Sequence, residues 1–182
     1  MSEESLKPEQ ILSEADIANT IRRLAYEILE TCRDDTPAFV GIFTRGITLA
    51  RRVQAVLAGE GREFPFGTLD ISLYRDDLDN LGDTLPSLES SDIPFALEET
   101  RVILFDEVIF TGRTIRAALD GLMDYGRPGK IELAVLVDRG NRELPVEPNY
   151  VGLKIDTSPD DYVKVRFHED DNKEGVFLST QP

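Results

Sequence analysis

The stretch Val102-Ile-Leu-Phe-Asp-Glu-Val-Ile-Phe-Thr-Gly-Arg-Thr-Ile-Arg116 decides how this chain is read. Its first four residues, Val102 to Phe105, form an unbroken apolar run. Such a run marks a strand buried on both faces of a parallel sheet. Asp106 and Glu107 are expected at the carboxyl end of that strand. A polar turn through Thr111-Gly112-Arg113-Thr114 follows, with a helix from near Ile115. Open α/β sheets bind ligands at the carboxyl ends of their strands, so this turn is a candidate site.

The residue types define the ligand chemistry. Gly112 lets the backbone approach a ligand closely. The hydroxyls of Thr111 and Thr114, with successive backbone N–H groups, can surround an anion. The N-terminus of the next helix favours negative charge in the same place. Carboxylates repel phosphate, so Asp106 and Glu107 suit hydroxyl groups or a magnesium ion instead. A ribose with a phosphate at one end, free hydroxyls and a metal-bound pyrophosphate meets every requirement. That molecule is phosphoribosyl pyrophosphate.

From Val102 to Thr114 the stretch resembles the phosphoribosyl-pyrophosphate motif of the type I phosphoribosyltransferases. That family usually has two aspartates where this chain has Asp106 and Glu107, so acidity is kept on one longer side chain. The resemblance implies that Asp106 and Glu107 hold the ribose hydroxyls. It implies that Thr111, Gly112, Arg113 and Thr114 bind the 5′-phosphate. Magnesium (Mg2+) is expected to arrive with the substrate, with Asp106 and Glu107 as its only candidate protein ligands.

The same grammar occurs twice more. Ala38 to Phe43 is an apolar run that enters Thr44-Arg45-Gly46 and then a helix from about Ile47 to Leu57. Arg45 supplies a fixed positive charge and Gly46 a permissive backbone, a pair suited to pyrophosphate. In the type I family this loop holds the pyrophosphate, often through a non-proline cis peptide. Lys130 to Val137 is a third buried strand, ending at Asp138-Arg139, which are expected to help hold pyrophosphate and base.

Around these units the chain is ordinary. Residues 1–13 are a loose polar start, and Ser13 caps a helix over Glu14 to Thr31. Leu69, Ile71 and Leu73 alternate with polar residues in a strand over Thr68 to Arg75. The acidic, aperiodic run over about 74–91 is too long for a plain connection and is expected to form a lid that excludes water. Arg75, at its root, is placed to reach pyrophosphate. The stretches 162–167 and 175–178 are expected to pair as an antiparallel hairpin on the sheet edge, joined by a charged turn over 168–174.

The whole chain sets bounds. Its 182 residues, 41% of them apolar, suit one domain with one sizeable core. No apolar run approaches the ~20 residues of a membrane span, and the acidic start is not a signal peptide. Cys32 is the only cysteine, which forbids an internal disulfide and points to a cytoplasmic setting. With one cysteine and His168 the only histidine, the usual zinc sites are excluded, and His168, at a strand end or turn, leaves no convincing nucleophile–histidine pair. Neither a G-x-x-x-x-G-K-[ST] nor a G-x-G-x-x-G motif occurs. A net charge of −15 opposes nonspecific nucleic-acid binding.

Three further runs narrow the resemblance: Leu69 to Leu78, Val137 to Pro145, and Tyr150-Val-Gly152 with Thr157-Ser158. With the central motif they are similar to the pyrimidine-operon regulators that double as uracil phosphoribosyltransferases (PyrR-type proteins), over about residues 14–180. This resemblance implies conversion of uracil and phosphoribosyl pyrophosphate to UMP and pyrophosphate. It also implies a homodimer or higher homo-oligomer, and pyrimidine-operon mRNA as a partner. Against that last partner, Asn141 replaces the family's usual His. The family's basic run becomes Leu153-Lys-Ile-Asp156, and Pro159, Asp160 and Asp161 follow Ser158. A regulator with weak or no catalysis, or a transferase for another base, are the alternatives. The expected fold is a three-layer α/β domain with a mostly parallel sheet, flanking helices and a small hood of β-structure.

Overall fold

The computed structural model describes residues 8–32, 35–76 and 90–180. Five strands form the central sheet: β2 (Ala38–Ile42), β3 (Phe66–Leu69), β4 (Arg101–Ile109), β5 (Lys130–Asp138) and β6 (Tyr150–Lys154). Their order is β3-β2-β4-β5-β6, and every neighbouring pair is parallel. A second, antiparallel sheet, β1-β8-β7, forms the hood from β1 (Glu9–Leu12), β7 (Tyr162–Arg166) and β8 (Gly175–Ser179).

The three layers follow from strand alternation, which sends successive side chains to opposite faces. Phe39, Ile103, Phe105 and Leu136 pack against α1 (Glu14–Thr31) and α2 (Arg45–Gly59), with Val163, Val165 and Val176 of the hood. Val40, Val102, Leu104 and Val135 pack on the other face against Ile115, Ala118 and Leu122 of α3 (Arg113–Met123). α1 presents Ile17, Ile21, Leu24 and Ile28 at helical spacing, all buried. Its capping box is closed by Ser13 and Asp16, and it spans the expected residues.

Several expectations are corrected. The start is not loose throughout: residues 9–12 pair with β8, and Ile11 and Leu12 pack on the core. The strand over 68–75 is shorter, because Asp70 Oδ1 accepts from the Ser72 backbone N–H (2.8 Å) and its hydroxyl (2.6 Å). That side-chain turn leads into a 3-10 turn at Ser72–Tyr74. β6 escaped periodicity altogether. The hairpin of β7 and β8 does not extend the main sheet, since β1 joins it in a separate one. Its connecting turn contains a short helix, α4 (His168–Asp171). Residues 77–89 of the expected lid lie outside the described residues. No described helix is long and apolar enough to cross a membrane.

Candidate active site

The site arises from a mismatch in strand length. β4 pairs with β5 as far as Ile109↔Asp138, yet β2 pairs with β4 only as far as Gly41↔Phe105. Beyond Phe105 the β2-facing edge of β4 is open. The chain order also reverses between these two strands, with β3 beyond β2 on one side and β5 and β6 beyond β4 on the other. α2 leaves on one face and α3 on the other. A sheet bound in this way opens a crevice at its switch point.

Two adjoining cavities fill the crevice. One, of about 350 Å³, is lined by Phe43, Thr44, Asp70, Ser72, Asp106 and Glu107 among others. The second, of about 230 Å³, is lined by Asp76 and the continuous run Val108 to Ile115. Arg75, Val108 and Thr114 belong to both. Thr44, Arg75, Asp106, Glu107 and Thr111 to Thr114, separated in sequence, are thus neighbours in space.

The acid pair lies inside β4 rather than after it, as Asp106↔Val135 pairing shows. Asp106 is 5% exposed, and its Oδ1 accepts from the Glu107 backbone N–H at 2.9 Å. Burial first, and then the neighbouring Glu107 charge, push the Asp106 carboxyl well above the usual carboxylate range. Such a group gains from hydroxyl donors or a cation brought by a ligand.

The turn at 111–114 is shaped largely by its backbone. Gly112 precedes α3 with φ +92°, a conformation that favours glycine. The Thr111 hydroxyl accepts from the Arg113 N–H at 3.3 Å, and its carbonyl accepts from the N–H groups of Glu143 and Leu144. α3 begins at Arg113, two residues before the expected start. The Arg113 side chain runs outward to Glu143 (2.7 Å) and Asp76 (2.6 Å).

The second turn differs. The Phe43–Thr44 peptide is cis, as the family resemblance implied for one bond in this loop. α2 begins at Arg45, two residues earlier than expected. Gly46 packs on β4 so closely that a Cβ would overlap the Phe105 carbonyl oxygen. Thr44 lines the cavity, but Arg45 and Gly46 do not. The Arg45 guanidinium instead meets Asp171 of α4, Nε to Oδ2 at 3.0 Å and Nη2 to Oδ1 at 2.6 Å.

Asp138 and Arg139 line neither cavity. Asp138 is 2% exposed; burial opposes its charge, but Arg142 (2.8 Å) and the Gly140 N–H (3.0 Å) hold its pKa below the usual value. Arg139 is buried, stacks 3.8 Å above the Phe110 ring, and donates to the Thr157 hydroxyl and Ser158 carbonyl. Phe110 lines the smaller of the two cavities, so the Arg139 guanidinium meets the crevice through that ring. Sequence reasoning missed Asp70, Ser72, Asp76 and the Val108–Phe110 run. The last had a local signal, being the link between acid pair and phosphate turn.

Fold and site together define a class. The chain belongs to the phosphoribosyl transferase family, whose domain (Phosphoribosyl transferase domain) matches residues 8–172. Within that class it belongs with the PyrR proteins. It is 48% identical over 170 residues to the Bifunctional protein PyrR of Deinococcus radiodurans, with 92% of each chain covered. It is 46% identical over 172 residues to that of Latilactobacillus sakei, covering 93% of this chain and 96% of the relative. In fold it is similar to a hypoxanthine-guanine phosphoribosyltransferase of Bacillus anthracis, at TM-score 0.70 and 17% identity over 95% of this chain and 98% of that one. A hypoxanthine phosphoribosyltransferase of Trypanosoma cruzi gives TM-score 0.71 at 14% identity, over 96% and 97% of the two chains. At those identities the likeness concerns the fold.

Proposed function

We propose that this protein transfers the phosphoribosyl group of phosphoribosyl pyrophosphate to uracil, giving UMP and pyrophosphate. Uracil N1 bonds to ribose C1′ as the C1′–oxygen bond to pyrophosphate breaks, and the N1 proton is released. The observation that carries this reading is the meeting of the buried acid pair, Thr44 and the Thr111–Thr114 turn on two cavities that share Arg75, Val108 and Thr114.

The side chains work by placement. The turn at 111–114 offers backbone N–H groups and hydroxyls to the 5′-phosphate at the start of α3. Asp106 and Glu107 receive the ribose hydroxyls, and a carboxylate beside the ribose favours positive charge developing there. The turn at 44–46 takes the pyrophosphate. Holding both ends of the substrate around the reacting carbon supplies orientation, and fixed donors stabilise the leaving group. Magnesium bound with the pyrophosphate would neutralise part of its charge. Among the described residues no three acidic, His or Cys side chains cluster as a metal cage. This donor set suits an ion carried by the substrate, with Asp106 and Glu107 as the protein's share. The reaction belongs to the cytoplasm, in a homodimer or higher assembly.

The test is UMP formation from uracil, phosphoribosyl pyrophosphate and magnesium. Turnover is expected in the unaltered protein and lost in Asp106→Asn. Turnover with hypoxanthine or guanine in place of uracil would move the reading to another base. UMP binding without any turnover would replace the enzyme by a nucleotide sensor. The name Bifunctional carried by relatives at 46–48% identity favours a second role, control of pyrimidine-operon mRNA by uridine nucleotide. Asp156, Asp160 and Asp161 work against the RNA face that the family resemblance implies. UMP-dependent retention of that mRNA, falling steeply with salt, is the expected sign of the role; retention indifferent to UMP would remove it.

A further inference from the structure

Arg45 is held away from the cavity it is proposed to serve, and a second cation acts on the group holding it. The Arg45–Asp171 contact is a two-pronged ion pair with side chains 29% and 13% exposed. Other side chains of α2 also reach the segment joining β7 and β8. The Thr48 hydroxyl donates to Asp170 at 2.7 Å. Arg52 reaches both Glu169 and Glu174, each at 2.6 Å. Residues 45, 48 and 52 form one stripe of the helix, so two contacts keep α4 docked if Arg45 departs.

Arg166 supplies the other half. Its Nε is buried and has no hydrogen-bond partner. An unsatisfied buried donor is costly, and more so when it is charged. Arg166 is among the cations acting on the Asp171 carboxylate, whose Oδ2 also accepts from the N–H of the adjacent Phe167 at 3.2 Å. At the other end, Glu107 on the cavity wall is among the charges acting on Arg45. The Arg45 guanidinium is therefore held by an α4 carboxylate while also acted on by a carboxylate of the crevice wall.

We propose that Asp171 is a positioning residue that competes with the pyrophosphate end of the substrate for Arg45. When that end binds, Arg45 exchanges Asp171 for pyrophosphate oxygens, and Asp171 turns to the unpartnered Arg166 Nε–H. The exchange rests on the pyrophosphate reading of the 44–46 turn and adds to it a hood-borne control of affinity. A ligand that must first displace an internal partner binds weaker by the population of the competent state. Arg166 lowers that penalty by receiving the carboxylate that Arg45 gives up.

The experiment compares Asp171→Asn and Arg166→Met in two assays: steady-state kinetics, and calorimetric titration with magnesium pyrophosphate. Asp171→Asn removes the competitor and is expected to lower both the KM for phosphoribosyl pyrophosphate and the Kd for pyrophosphate, by about fivefold or more. Arg166→Met keeps the apolar stem but removes the receiving cation, and is expected to raise both constants. The KM for uracil is expected to stay put in each. In an Arg45→Ala background, Asp171→Asn is expected to leave pyrophosphate affinity unchanged. A merely structural role would move both single variants the same way. Two raised constants, or two unchanged ones with turnover intact, overturn the exchange alone. Absence of both turnover and pyrophosphate binding in the unaltered protein would overturn the active-site reading together with it.

Discussion

The two strand-turn-helix units around the crevice are alike in sequence and unlike in construction. The turn at 111–114 is self-contained. Gly112 takes a positive φ, and each residue from Val108 to Ile115 lines the cavity. The one long cation, Arg113, is spent on Asp76 and Glu143 at the rim. The turn at 44–46 depends on its surroundings. Its glycine is jammed against the Phe105 carbonyl of β4, and its cation is held by Asp171, 126 positions away in the chain. A phosphate that stays attached through the reaction needs a fixed cradle. A pyrophosphate that must leave is better served by a site whose grip another part of the molecule can relax.

The sharpest way to break that contrast is to alter the two glycines separately. In Gly46→Ala the new Cβ would overlap main-chain atoms of β4, which cannot rotate aside. The start of α2 must shift against the sheet, at a stability cost of about 1–3 kcal/mol. Displacing the turn in this way is expected to reduce kcat/KM for phosphoribosyl pyrophosphate about a hundredfold, with UMP binding much less affected. In Gly112→Ala the Cβ finds room, 3.4 Å from Leu144 and Val146 side-chain atoms, but φ +92° is unfavourable for alanine. That strain costs roughly 1–2 kcal/mol. UMP affinity is expected to fall about tenfold, the equivalent of 1.4 kcal/mol, while pyrophosphate affinity holds. Equal losses of both ligands in both variants would show that the turns act as one site.

What the sequence made legible has the same division. The acid pair and the turn at 111–114 lie within nine residues of one another, so their place beside the crevice could be read locally. The polar residues at the end of β5 showed the same local pattern, yet Asp138 and Arg139 line neither cavity of the crevice. The reason is long-range pairing. β5 remains hydrogen-bonded to β6 through Asp138↔Lys154, whereas β2 stops pairing with β4 at Phe105 and leaves an edge open. No local pattern reports where a neighbouring strand ends. β1, the clasp of α4 on α2, and the diversion of Arg45 are likewise products of partners far apart in sequence.

Asp106 offers a smaller effect with a definite sign. Burial, and then Glu107, raise its folded-state pKa above the unfolded value of about 3.9. The fold therefore binds more protons there than the unfolded chain does. The stability associated with this group is present below the unfolded pKa and is lost as pH rises through the folded one. Asparagine cannot ionise. Asp106→Asn is expected to show a higher Tm than the unaltered protein at pH 7, with the gap closing as pH falls toward 4. Calorimetric scans across that range check it. A lower Tm at pH 7 would mean that the carboxylate is already compensated before substrate arrives.

The smallest effect belongs to Arg113. Its side chain is 48% exposed and is shared between Asp76 and Glu143, both also exposed to solvent. Exposed ion pairs contribute little, and salt screens them. If the 5′-phosphate is held by the backbone of the turn and the start of α3, Arg113→Ala retains every N–H donor of that cradle. UMP affinity is then expected to change by no more than about threefold, and by less in high salt. A loss as large as that of Gly112→Ala would place the Arg113 guanidinium on the phosphate itself. It would then have to abandon Asp76 and Glu143 on binding, as Arg45 is proposed to abandon Asp171. The two turns would share one mode of capture, and the difference between a fixed cradle and a releasable grip would disappear.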